Sequence, residues 1–99
     1  MNTVQQTKLV TETAVSVGNT DTAVVGANTQ RAWLLLQSDS DRVIYVSFGA
    51  AAALNTGIRL AASGTYGSVE RWSGASCPTG AVRAISSVAS KKLLVSEGS

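Results

Sequence analysis

The sequence contains no histidine. The commonest general base, the usual catalytic triad and the commonest metal ligand are therefore missing together. There is one cysteine, Cys77, so no internal disulfide can form. Without a histidine to lower its pKa, Cys77 cannot work as half of a Cys–His nucleophile, and it reads as a small buried or half-buried thiol. Proline occurs once, at Pro78, and strong helix formers are sparse. Charged residues make up 14% of the chain. That is well below the usual share of about 25%, so a sparsely charged surface is expected, part of it covered in use. No apolar run approaches the ~20 residues of a membrane-crossing helix. Residues 1–10 lack the charged start and apolar run of a signal peptide, and the expected place of synthesis is a cytoplasm.

What is present is Ala, Val, Ser, Thr and Gly in quantity, with 44% apolar residues and a net charge of +2. This is the composition of a folded domain rather than a disordered chain. At 99 residues there is one domain. Apolar burial and chain-ordering entropy come close to cancelling at this size, which favours association. The basic residues Lys8, Arg31, Arg42, Arg59, Arg71, Arg83, Lys91 and Lys92 are scattered. Nucleic-acid binders cluster such charge on one face, so a nucleic-acid partner is not expected.

Short runs of Val, Thr and Ile alternate with Gly, Asn, Asp and Ser, the pattern of short strands joined by turns. Residues 1–11 read as an extended arm or first strand, and 12–99 as a single β domain. Further strands are expected at 12–17, 22–25, 31–37, 42–48, 57–61, 65–70, 80–86 and 92–97, with Gly98-Ser99 fraying. Residues 49–56 and 71–79 read as loops. In 31–37, Ala32, Leu34 and Leu36 share one face and Trp33 and Leu35 the other, and both faces are apolar. Such a strand needs cover on both sides. In 42–48, Ile44, Val46 and Phe48 form a core-facing set. The turn residues Ser38-Asp-Ser-Asp41 predict that these two strands make a β-hairpin. The fold expected is all-β, an antiparallel β-sandwich or jelly-roll-like barrel of about eight short strands.

No motif for catalysis or cofactor binding emerges. Nothing gathers Glu12, Asp21, Asp39, Asp41, Glu70 and Glu97 into an acid pair at glycosidase spacing. Asp39-Ser-Asp41 lacks the following glycine and bidentate Glu of a calcium loop and fits turn chemistry. Gly64-Thr-Tyr-Gly67 lacks the Gly-Lys-Ser/Thr ending of a phosphate loop. No enzyme activity, metal or cofactor is expected. Trp33 sits in a core-like strand and is expected in the core. Trp72 is expected in a polar loop beside Arg71, either at an interaction hot spot, where these residue types are enriched, or capping the core, since Trp is highly buried on average.

Arg31-x-x-Leu34-x-x-Gln37, Ile44-Tyr-Val-Ser-Phe-Gly49, Gly57-Ile-Arg-Leu-Ala61, Gly64-x-Tyr66 and Thr79-Gly-Ala-Val-x-Ala-Ile85 together resemble a pattern in small all-β virion proteins of tailed bacteriophages. The resemblance covers about residues 31–96. It implies a structural module of the particle, similar to capsid decoration proteins, head-fibre pieces and tail-associated domains, with no catalytic residue to transfer. The expected role is capsid decoration, bridging capsomers from outside the shell. The expected partners are the major capsid protein and further copies of the chain, with a trimer favoured. The alternative is a tail, neck or fibre component with a receptor- or glycan-contacting loop at Arg71-Trp72. Candidate interface residues are Val4, Leu9, Val10, Trp33, Leu35, Arg71 and Trp72. The first three belong to a segment able to add to a neighbour's sheet edge.

Overall fold

A computed structural model describes residues 10–99 of the chain. Eight strands carry the fold: β1 (Val10–Val17), β2 (Thr22–Val25), β3 (Trp33–Asp39), β4 (Ile44–Phe48), β5 (Ile58–Leu60), β6 (Val69–Ser73), β7 (Val82–Ser86) and β8 (Lys91–Gly98). One 3-10 turn, Gly74–Ser76, lies between β6 and β7. The strands form two four-stranded antiparallel sheets packed as a sandwich, not a closed barrel. Sheet A has the order β1-β8-β3-β6 and sheet B the order β2-β7-β4-β5.

The pairing follows one rule. β1 pairs with β8, β2 with β7, β3 with β6 and β4 with β5. This is a long antiparallel ribbon folded back on itself. Rolling it up adds the pairs β3–β8 and β4–β7 and divides the ribbon between two sheets. The result is a jelly roll, in which consecutive strands mostly sit in opposite sheets.

The expected hairpin at 38–41 is therefore corrected. β3 hydrogen-bonds to β6 and β8, while β4 bonds to β5 and β7. The Ser40–Val43 segment is an arch from one sheet to the other. Its strands meet through side chains, with Leu34 and Leu36 of β3 and Ile44 and Val46 of β4 all fully buried in one core. The connection that does stay within a sheet runs from β4 to β5. Gly57 closes it at φ +81°, where a Cβ would overlap the Val46 carbonyl oxygen.

Cross-strand partners share a face. The inner face of sheet A carries Val15, Val17, Leu93, Val95, Leu34, Leu36 and Trp72. Sheet B contributes Ile44, Val46, Phe48, Val82, Ala84, Ile58 and Leu60. Of the period-2 sets read from the sequence, Leu34, Leu36, Ile44 and Val46 are buried and Phe48 is partly so, whereas Ala32 lies before β3 and is exposed. Most boundaries shifted by one or two residues, and two changes alter the reading. The strand expected at 65–70 lies at 69–73, and residues 65–68 form a turn. Gly98 does not fray, because it is the buried last residue of β8 and lies opposite both Val10 and Trp33.

Candidate functional site

The same parity that buries one face of each sheet leaves the other outside. On sheet A the outward set is Val10, Glu12, Ala14 and Ser16 of β1, Lys92, Leu94 and Ser96 of β8, Trp33, Leu35, Gln37 and Asp39 of β3, and Val69, Arg71 and Ser73 of β6. Its middle is apolar and its charges lie toward the rim. Two shallow grooves cross it. The first, about 360 Å³, is lined by Glu12, Ala14, Leu35, Gln37, Leu94 and Ser96 among others. The second, about 370 Å³, is lined by Ala32, Trp33, Leu35, Arg71 and Ser73. Leu35 belongs to both, so the grooves adjoin. Val10 is 53% exposed and Val69 46%, and they extend the apolar surface toward both edges of the sheet. The Trp33 indole lies over Gly98, where a Cβ would overlap the ring. Glycine at that position lets the tryptophan lie down on the sheet.

The outer face of sheet B differs. Tyr45 Oη donates to Asn55 Oδ1 at 2.9 Å, and the Ala52 N–H donates to Asp21 Oδ1 at 2.8 Å. Arg83 Nε also reaches Asp21, at 2.9 and 2.7 Å from its two oxygens. These bonds fasten the Gly49–Gly57 connection across the sheet. Ile85, although outward-facing, is only 8% exposed. The Arg83 guanidinium and then the Ala52 N–H hold the Asp21 carboxyl below its ordinary pKa.

Arg31 lies just before β3 and is 4% exposed. Nε donates to Glu97 Oε1 at 2.6 Å, one terminal nitrogen to the carbonyls of Pro78 and Gly80 at 2.9 and 3.0 Å, and the other to the carbonyl of Gly26 at 2.9 Å. A planar guanidinium can satisfy four acceptors in one plane in a way that a lysine cannot. Arg31 thereby fastens the loops before β3 and before β7 to the end of β8. It is a scaffold residue.

Of the candidate interface residues, Val10, Trp33, Leu35 and Arg71 share the outer face of sheet A. Trp33 is half-buried there and does not enter the core. Trp72 is a correction. Arg71 and Trp72 stand in β6, not in a loop, and alternation sends them to opposite faces. The Trp72 ring packs edge-on against Phe48, with centroids 5.1 Å apart at 87°. Val4 and Leu9 lie outside the described residues. Cys77 is buried beside the core, and burial pushes its thiol pKa up. Asp41 is held by Lys91 at 2.7 Å. Among the described residues, no three His, Cys, Asp or Glu side chains gather as metal ligands would.

Sequence reasoning missed Ala14 and Leu94. The signal for Leu94 was available, because Leu93-Leu-Val95 is apolar on both faces, like Leu34-Leu-Leu36. No protein-family model matches the chain, and no curated protein or solved structure matches it significantly. The fold and the outer face of sheet A carry the functional reading.

Proposed function

We propose that the chain is a non-catalytic structural protein of a tailed-phage particle, a capsid decoration protein that seats the outer face of sheet A on the exterior of the shell. The observation that carries this reading is the contrast between the two outer faces. Sheet B is fastened under its own loop, whereas sheet A leaves Trp33, Leu35, Ala14, Leu94 and Val69 on an open surface with few charges. An apolar centre with a polar rim is the make-up of a protein interface. Jelly rolls recur in capsid and lectin domains, so the fold agrees with the reading without selecting it. The glycan-contacting alternative loses its loop, because Trp72 faces the core.

The test is rebinding of purified protein to capsids stripped of accessory proteins. Leu35→Glu and Leu94→Glu each place a carboxylate in the middle of the face. Both variants are expected to lose shell binding while keeping the wild-type thermal midpoint. Undiminished binding by both would remove the face from the function. A handful of copies per particle, rather than hundreds, would select a tail, neck or fibre position.

A further inference from the structure

Among the described residues, each sheet of the sandwich ends in two edge strands. Unpaired backbone at an edge invites another strand, and proteins guard against this with short strands, charges and bulges. Three of the four edges are guarded in this way. β5 has three residues and carries Arg59 at its centre. β2 has four residues, and its register slips between Ala23 and Val25. β6 has Glu70 and Arg71 in the middle of its five residues. β1 is different. It is eight residues long, pairs with β8 in unbroken register, contains no proline and carries Glu12 as its one charge.

We propose that two copies of the chain pair antiparallel along β1, about a two-fold axis at Thr13, merging their A sheets into one. The occupant follows from the strand's own sequence. Residues opposite each other must share a face, so the axis passes through a residue rather than between two. An axis at Glu12 would set two carboxylates side by side. An axis at Ala14 would draw Val17 and Gly18 into the pairing, where the chain already turns toward sheet B through the Gly18 N–H bond to Thr22. An axis at Thr13 avoids both. It places Glu12 opposite Ala14, Val10 opposite Ser16 and Thr11 opposite Val15 of the second copy. Thr–Thr is itself a favourable cross-strand pair. A two-fold axis normal to the sheet also keeps both outer faces on one side, so the two apolar surfaces become one. The pair consumes both β1 edges and leaves none for a third copy, which makes the assembly a dimer rather than the trimer that the resemblance favours. The dimer forms in free solution and is tested apart from shell attachment.

The experiment is analytical ultracentrifugation of the full chain at high micromolar concentration. A dimer is expected. Thr13 is exposed, so Thr13→Lys and Thr13→Glu each leave the thermal midpoint unchanged while placing like charges face to face on the axis. Each variant alone is expected to sediment as a monomer, and an equimolar mixture to recover the dimer. A wild-type monomer or trimer, charged variants that still dimerise, or a mixture that stays monomeric would each overturn the proposal. So would a chain lacking residues 2–9 that dimerises where the full chain does not, because the edge would then be held by the chain's own N-terminal residues.

Discussion

Arg31 concentrates more of the fold in one side chain than any other residue described above. Its guanidinium is buried with Glu97 and three backbone carbonyls, and each of those acceptors loses its partner if the side chain goes. Removing one member of a buried pair costs about 3–5 kcal/mol, chiefly through the charge left behind. Arg31→Ala is therefore expected to lower stability by about that much, read as a shift of the urea midpoint. Arg31→Lys should recover only part of the loss, because an ammonium cannot reach carbonyls from two separate loops and the carboxylate together. None of this was legible in the sequence. Arg31 and Glu97 stand 66 positions apart, and no local pattern links them. The alternation around Trp72 was legible in principle, since Glu70 and Trp72 share a parity. The expected strand instead ends at Glu70, and Arg71, Trp72 and Ser73 read as the start of the loop that continues through Gly74 and Pro78.

At the scale of elements, periodicity told which side chains face inward but not which strands lie side by side. Ile44 and Val46 belong to the core as expected. The turn residues Ser38–Asp41 marked a reversal of the chain correctly. A reversal within a sheet and an arch between sheets need the same turn chemistry, so the sequence leaves the two indistinguishable. The β4–β5 connection shows the opposite case. Its four alanines obscured a true hairpin, whose geometry rests on Gly57. Gly57→Ala combines an unfavourable positive φ with an overlap on the Val46 carbonyl. It is expected to destabilise by more than about 1 kcal/mol in equilibrium denaturation. An Ala substitution at Gly26, where a Cβ meets nothing, serves as the control.

Across the whole molecule, the two outer faces give the sandwich a fastened side and an open side. The fastening on sheet B is partly ionic and so depends on pH. Asp21 releases its proton at lower pH in the folded chain than its ordinary value of 3.8. The stabilisation from its bonds to Arg83 and Ala52 is therefore fully present above that value and is lost as pH falls through the folded one. Asp21→Asn should flatten this acid limb, measured as the urea midpoint from neutral pH to below 3.8. The Lys91–Asp41 pair should add little, because Asp41 is 75% exposed and screened by solvent.

The ribbon-like pairing has a consequence for how the chain comes off the ribosome. β8 is made after the other seven described strands, yet it sits inside sheet A between β1 and β3. Until it emerges, β1 lacks its neighbour and β3 lacks one of its two. The nascent chain must therefore wait with apolar strands unpaired, and sheet A closes only after synthesis has passed Gly98. Folds built from such distant pairings form slowly, in milliseconds to seconds, and their unfinished edges are the aggregation-prone stage of their lives.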